Sequence, residues 1–101
     1  MSKIKTPKLE KIQIDVLKTD ILKGKRESPH SCAIARAVER TGATDVSVDS
    51  NIEFTRDGKF FSGRLPSSVQ NWISKFDNVK NAKVDLKPFS FAVALKVSKV
   101  A

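Results

Sequence analysis

Alternating apolar and polar residues mark both ends of the folded chain. Ile12, Ile14 and Val16 alternate with polar residues, and this period of two predicts a strand with one buried face. The same alternation runs from Val84 to Val97, and Pro88 within it lacks a backbone donor. This last strand should therefore begin at a sheet edge or after a bulge. Between the two, residues 45–48, 51–54 and 60–64 predict a three-stranded meander, with an Asp-Gly hairpin turn before its last strand.

Two other segments carry the helical period. The first predicted helix begins at Ser28 or Ser31, the two candidate N-caps, and runs to about Thr41, where a glycine stops it. In the second, Ser67 followed three residues later by Gln70 matches a capping box. Its apolar stripe has the spacing i, i+3, i+4, i+7 and consists of Val69, Trp72, Ile73 and Phe76.

The predicted order of elements is β-α-β-β-β-α-β. This order indicates an α+β fold, with a mostly antiparallel or mixed sheet and two helices packed on one face. We expect the first and last strands to meet near the centre of the sheet. Residues 1–10 predict a flexible basic arm and residues 11–98 a single domain; Ile21 and Leu22 should form a turn, and residues 80–83 a loop.

Length and composition exclude several classes of protein. The 101 residues leave room for one hydrophobic core, and a single cysteine excludes a disulfide scaffold. No apolar run approaches the roughly 20 residues of a membrane-spanning helix. The N-terminal segment has positive charge without the apolar stretch of a secretory signal. We therefore expect an intracellular protein without a membrane partner.

The charge of the chain points to an anionic partner. Nineteen Lys and Arg against eleven Asp and Glu leave a formal net charge of +8. Such an excess favours binding to polyanions, because each phosphate contact releases a counterion. Fourteen of the cations are lysines, which contact phosphate as point charges but read bases less well than arginine does. Any binding to nucleic acid should therefore be non-specific and sensitive to salt.

The loop before the first helix concentrates candidate anion-binding groups. Free backbone N–H groups and the helix dipole favour an anion at a helix start, where the loop would add cations and a hydroxyl. The alternative is a capped helix preceded by a solvated loop that happens to be basic. The predicted anion site consists of Lys23, Lys25, Arg26, Ser31, Arg36 and Arg40.

Cys32 is the candidate nucleophile, because a helix start and nearby cations lower a thiol pKa. His30 is the candidate base, although two residues apart the two side chains point in different directions. The alternative, a buried structural thiol, is the more common role of a free cysteine. One His and one Cys without ligand spacing do not make a zinc site. We therefore expect no metal, no cofactor and no enzymatic activity.

Phe60 and Phe61 are consecutive in a predicted strand, so their rings should point to opposite faces of the sheet. With Arg56, Lys59 and Arg64 nearby, the exposed ring would stack on a base while the cations contact phosphates. The alternative is that the second ring covers an edge of the core or an interface between two copies of the chain.

The order of several short motifs resembles that of small phage-encoded proteins of no assigned function. In that group a Ser/Asn-Cys-Pro-Ile-Ala-x-Ala helix start follows a strand and a glycine loop, and a Pro-Phe-x-Phe strand closes the chain. The matching pieces, which span about residues 11 to 95, are Gly24, Ser31–Ala37, Leu65-Pro66, Phe76-Asp77 and Pro88–Phe91. The chain departs from the group at Ala33, where Pro is usual, and in its Lys-rich ends. The resemblance implies a viral or prophage origin and supplies no catalytic residues.

We therefore expect a non-enzymatic binding protein, phage-encoded and located in the host cytoplasm. Its anionic partner should be nucleic acid, bound non-specifically, with added affinity from Lys3, Lys5, Lys8 and Lys11. The alternative is an inhibitor or ligand sponge that acts on a host protein or defence factor, as a homodimer with an exposed apolar patch.

Overall fold

Five strands form one antiparallel sheet in the computed structural model, which describes residues 8–99. The strands are β1 (Lys8–Val16), β2 (Thr44–Val48), β3 (Asn51–Arg56), β4 (Lys59–Arg64) and β5 (Phe89–Lys99). Their order across the sheet is β1-β5-β4-β3-β2, and every neighbouring pair is antiparallel. The predicted α+β class is confirmed.

Four helices accompany the sheet within residues 8–99, where two were predicted. They are α1 (Lys18–Lys23), α2 (Ala33–Glu39), α3 (Ser67–Asn78) and α4 (Ala82–Asp85). The additional helices are α1, in place of the predicted turn at Ile21 and Leu22, and α4, in place of a predicted loop and the first residues of a predicted strand. Helices this short are not stable by themselves, and the sequence pattern gives little signal for them. In the folded chain α1 contacts both α2 and α4.

The core lies between one face of the sheet and the helices. Alternate strand residues point into it, among them Ile14, Phe54 and Leu95, which are fully buried. Ile34 of α2 and Phe76 of α3 are buried against them, as the predicted helical stripes require. The intervening strand residues point to the other face, which the helices leave uncovered.

The two terminal strands pair with each other, but at one side of the sheet and not near its centre. Ile12 lies opposite Val93 and Val16 lies opposite Phe89, so β1 is an edge strand and β4 is the central one. Strand β1 begins at Lys8, three residues before the predicted boundary of the basic arm. Residues 1–7 of that arm lie outside the described residues. The prediction placed the pair wrongly because alternation identifies a strand but not its neighbours.

The last strand begins at Phe89, directly after Pro88, and not at Val84. Strand β5 is nevertheless an interior strand, flanked by β1 and β4. A proline inside the strand would have required an edge position or a bulge, as the prediction assumed. It lies before the ladder, where its missing N–H costs no interstrand hydrogen bond.

Neither predicted serine caps the first helix, and the predicted capping box is absent from the second. Cys32 is the N-cap of α2, and its Sγ accepts a hydrogen bond from the Ala35 N–H at 3.4 Å. At the start of α3 the N-cap is Pro66, and Gln70 Nε2 donates to the Leu65 carbonyl at 2.8 Å. Residues 28–32 form a turn before α2 instead, in which the Cys32 N–H donates to the Ser28 carbonyl at 3.0 Å.

A close backbone crossing at Gly24 joins the end of α1 to the start of α2. A Cβ at this position would lie 2.6 Å from the Ala33 amide nitrogen and 2.7 Å from the Asp20 carbonyl oxygen. Both are backbone atoms, so a side-chain movement cannot relieve the clash. Glycine is needed here for space and not for a positive φ, since its φ is −65°.

We expect Gly24→Ala to lower the free energy of unfolding by about 3 kcal/mol, because α1 and α2 must move apart. Gly42→Ala is the matched control: a Cβ there meets nothing within 4 Å, and the cost of about 1 kcal/mol comes from its φ of +97°. Chemical denaturation measures both. Equal losses in the two variants would show that the crossing is not tight.

Candidate nucleic-acid interface

The six residues of the predicted anion site do not form one site. Lys23, Lys25 and Arg26 lie in the segment that leaves α1, and their side chains are exposed. Ser31 lies in the turn before α2. The other two, Arg36 and Arg40, extend from α2 toward a carboxylate of α1, so they belong to a different part of the molecule.

Arg36 and Arg40 converge on Asp20, whose side chain is only 1% exposed. Arg40 donates from Nη1 to Asp20 Oδ1 and from Nη2 to Oδ2, both at 2.7 Å. Its Nη2 also donates to the Asp15 carbonyl at 2.8 Å, while Arg36 Nε lies 3.9 Å from Asp20 Oδ1. The bidentate pair neutralises the Arg40 charge that the prediction assigned to a phosphate.

The environment of Asp20 favours its charged form. Burial alone would raise the pKa of this carboxyl, but hydrogen bonds from Arg40 and from the Leu17 N–H outweigh that effect, helped by the charges of Arg40 and Arg36. The pKa of Asp20 therefore lies below its ordinary value of 3.8. Arg40 thus has a structural role, whereas the buried Arg36 Nε has no hydrogen-bond partner among the described residues. The part of these two arginines in an anion site stays a prediction.

The start of α2 does not present an anion site either. Beside it lies a concavity of about 220 Å³ whose lining includes three carboxylates, those of Glu27, Asp49 and Asp77. Asp77 Oδ1 already accepts the Glu27 N–H at 2.9 Å. Negative charge surrounds the position where we predicted a phosphate, and α2 itself has only seven residues. Ser31 does not line this concavity, and its carbonyl accepts the Lys25 N–H at 2.8 Å.

Cys32 and His30 are not arranged as nucleophile and base. Burial raises the pKa of the Cys32 thiol, and hydrogen bonds from the backbone N–H groups of Ala35 and Ile34 only partly offset this effect. The side chain is 4% exposed. His30 Nδ1 lies 2.8 Å from the Val46 carbonyl oxygen, which directs that ring nitrogen toward β2. The buried structural thiol, the alternative we weighed, describes this cysteine.

A different group of cations lies where the end of α1 and the segment after it meet α4 and the segment before it. We call it the basic corner: Lys23, Lys25, Arg26, Lys80 and Lys83. Its two halves are more than fifty residues apart in the chain. Three of its members were predicted to bind an anion; the other two had been assigned to a loop without a function.

Long cationic side chains hold the two halves of the basic corner together. Lys18 Nζ donates to the carbonyls of Lys83, Val84 and Leu86 at 2.8–3.0 Å, at the end of α4. Lys83 Nζ in turn donates to the Leu22 carbonyl at 3.3 Å, at the end of α1. These contacts satisfy carbonyls that a helix end leaves free and complement its dipole.

Arg26 connects the basic corner to the end of α3 through a hydrogen bond. Its Nη2 donates to the carbonyl of Val79, the C-cap residue of that helix. A guanidinium has five N–H donors, so this contact leaves others free on an exposed side chain. Among the described side chains, no ion pair within 4 Å joins a cation of the basic corner to a carboxylate. The corner therefore keeps its positive charge available.

The rings of Phe60 and Phe61 point to opposite faces of the sheet, as predicted. Phe61 is buried and stacks on Phe54, with ring centroids 4.9 Å apart, and Phe60 is 36% exposed on the uncovered face. Arg56 does not accompany Phe60, because its guanidinium lies 5.4 Å from the Phe61 centroid. Phe61 is therefore a core residue and not a stacking or interface residue.

Comparison with protein-family models, with curated proteins and with solved structures finds no match. The assignment of a function therefore depends on the geometry of the chain itself.

Two further features bear on the class of site. Within residues 8–99, no helix has the length and apolar character that crossing a membrane requires. In the same part of the chain, no three His, Cys, Asp or Glu side chains are grouped so that they could hold a metal ion.

The Asp20 cluster makes stability depend on pH in a predictable direction. The pKa of Asp20 is lower in the folded protein than in the unfolded chain. The contribution of its ion pair to the free energy of unfolding is therefore complete above about pH 5 and is lost as the pH falls through the folded pKa. We expect Asp20→Asn to lower the free energy of unfolding by about 2 kcal/mol at pH 7. The difference from wild type should shrink as the pH falls below the unfolded pKa, and it should vanish once the pH is below the lower, folded pKa at which Asp20 itself becomes protonated.

Asp57→Asn is the matched control for this measurement. Asp57 is an exposed carboxylate in the turn between β3 and β4, and its φ of +54° suits asparagine equally well. Urea denaturation at a series of pH values should show little change for Asp57→Asn at pH 7. A loss as large as that of Asp20→Asn would mean that the buried ion pair contributes no more than an exposed carboxylate does.

Burial of Cys32 predicts slow alkylation of the native protein. At neutral pH we expect the thiol to react with iodoacetamide at least about tenfold more slowly than in denaturant, because it is both shielded and less ionised. Mass spectrometry of timed, quenched samples measures the two rates. A native rate equal to or above the denatured rate would restore Cys32 as a candidate nucleophile.

Proposed function

We propose that this protein is a small, phage-encoded, non-enzymatic binding protein that engages nucleic acid non-specifically through the basic corner. The observation that carries the proposal is the contact between two distant segments that together carry five cations, with no ion pair to a carboxylate among the described side chains. Such a surface attracts a polyanion by releasing its counterions.

The composition of the basic corner supports the non-specific character of the binding. Four of its five cations are lysines, which contact phosphates without the bidentate geometry that reads base edges. Arg26 has one N–H group bound to a backbone carbonyl, which also restricts its reach toward a base. The ligand contacted here is therefore the phosphate backbone, and the sequence of the nucleic acid contributes little.

The corner is held in place by hydrogen bonds and does not depend on flexible loops alone. Arg26 and Lys83 each bridge to a carbonyl of another segment, and Lys18 donates to two carbonyls of α4 and to that of its C-cap residue, Leu86. Cations on fixed backbone lose less conformational entropy on binding than cations on a free tail.

A second candidate function is inhibition of a host protein. Four of the large exposed apolar side chains lie around the basic corner, at Leu17, Leu22, Val79 and Val84, and the last of these is 72% exposed. Aliphatic side chains add nothing to a phosphate contact but are buried in protein interfaces. A partner with an acidic rim and an apolar centre would use both features.

The origin of the protein in a phage or prophage is part of the proposal and is supported by the resemblance described above. A location in the host cytoplasm follows from that origin. Both remain predictions.

The proposal is tested by fluorescence anisotropy with a labelled DNA duplex over a range of salt concentrations. Five phosphate contacts predict a slope of about −4.5 in log K against log salt concentration. Lys23→Glu with Lys25→Glu should weaken binding at least about tenfold and reduce the slope by about two, because two contacts become repulsive.

The matched control is Lys75→Glu with Lys87→Glu. This pair of reversals changes the net charge equally, at two exposed lysines that do not belong to the basic corner. It should alter duplex binding much less than the corner variant does. Equal effects of the two variants would mean that net charge and not the corner attracts DNA, and a slope near zero would exclude phosphate binding.

The second function has a separate test. Capture of one host protein from nuclease-treated lysate by the wild-type protein, and loss of that capture in Leu22→Asp, would favour the second function.

A further inference from the structure

The face of the sheet that the helices leave uncovered carries a second group of polar and aromatic side chains. Strands β3, β4 and β5 present small residues there, among them Ser62 and Ala94, between longer charged ones. Because these side chains are short, few atoms project from the sheet here, and a flat ligand can approach the backbone. The basic corner belongs to the helical layer and lies on the opposite side of the sheet.

A concavity of about 400 Å³ lies on this uncovered face. We call it the cradle; its lining residues are Asn51, Glu53, Ser62, Gly63, Arg64 and Lys96. In the sheet register Ser62 lies opposite both Glu53 and Lys96, which places one anion and one cation on either side of the shallow floor. Its volume is within the range of small-molecule sites.

The charges of the cradle are available for a ligand. Among the side chains that the structure describes, Glu53, Arg64 and Lys96 form no ion pair within 4 Å. Two cations can contact phosphate oxygens, while Glu53 can accept hydrogen bonds from an exocyclic base amine. Asn51 offers both a donor and an acceptor to a base edge. A site for phosphate alone would have no use for the carboxylate.

Phe60 adjoins the cradle on the same face. It precedes Ser62 by two residues on β4, which is about 7 Å along the strand. Its cross-strand neighbours, Thr55 and Ser98, are small and leave the ring accessible from the solvent side. A spacing of this size lets one nucleotide occupy the cradle while the adjacent base reaches the ring.

We propose that this face binds single-stranded nucleic acid, with one base stacked on Phe60 and the adjoining nucleotide in the cradle. Arg64 and Lys96 contact its phosphates, and Asn51 and Glu53 contact its base edge. The proposal rests on the proposed function, and it adds the class of ligand that the basic corner does not distinguish. A duplex does not fit, because its bases are stacked on one another and cannot stack on a side chain.

The test compares a short labelled single strand with the same sequence as a duplex, by fluorescence anisotropy. Phe60→Ala should weaken single-strand binding about tenfold, because base–aromatic stacking is lost, and should change duplex binding less than twofold. Phe60→Leu keeps an apolar side chain on the strand and should lose nearly as much, whereas Phe60→Trp should retain the affinity. Circular dichroism confirms that each variant is folded.

Leu9→Ala is the matched control on the same face. Leu9 is an exposed apolar side chain on β1, outside the cradle, and its removal should leave single-strand binding unchanged. A single strand carrying 2-aminopurine gives a second readout: its fluorescence should be quenched by wild-type protein and much less by Phe60→Leu.

The outcomes separate this proposal from the proposed function. If Phe60 variants bind the single strand as wild type does, the uncovered face is not the site, whatever the corner variant does to duplex binding. If the corner variant has no effect but Phe60→Ala and Phe60→Leu both lose the single strand, the corner fails and the face stands. A change of mass from twice 11.2 kDa to 11.2 kDa in Phe60→Ala would show that a second copy covers this face and would overturn the proposal.

Discussion

The buried carboxylate of Asp20 joins the two parts of the chain on which the helical layer depends. It accepts hydrogen bonds from the Leu17 N–H at the start of α1 and from both terminal nitrogens of Arg40 at the end of α2. One side chain thus fixes where α1 begins and how it lies against α2. Because α1 leads directly to Gly24 and the basic loop, the position of that loop follows from this ion pair. Removal of the carboxylate would leave the Arg40 guanidinium and the Leu17 amide without their acceptor.

Several cations of this protein stabilise its helix ends, in addition to any role in binding. Helices α1 and α4 have six and four residues, too few to be stable alone, and each receives a lysine from the other at its carboxyl end. Arg26 caps α3 in the same way. Hydrogen bonds to carbonyls leave these side chains charged, so Arg26 and Lys83 still contribute to the positive charge of the basic corner. The sheet separates the basic corner, in the helical layer, from the cations of the cradle on the other face.

Local patterns were sufficient for the strands and the long helix. The alternation around Ile14 and the stripe of α3 report which side of an element is buried, and burial is decided mainly by hydrophobicity. The Asp-Gly pair located the hairpin between β3 and β4 for the same local reason. Patterns did not locate α1 and α4, whose stability comes from contacts with residues about sixty positions away. They also did not place β1 at the edge of the sheet, because the pairing of a strand depends on the other strands and is not contained in its own alternation.

For the candidate sites, the sequence by itself determined which residues are basic, that Phe60 and Phe61 face opposite ways, and that Cys32 lies at a helix start. Only the tertiary structure decided which of those residues meet. It turned Arg36 and Arg40 toward Asp20, joined Arg26 to Val79 and Lys83 to Leu22, and set the cradle next to Phe60. The physical reason is that Coulomb and hydrogen-bond energies depend on distance in space, and the order of residues along the chain does not contain that distance.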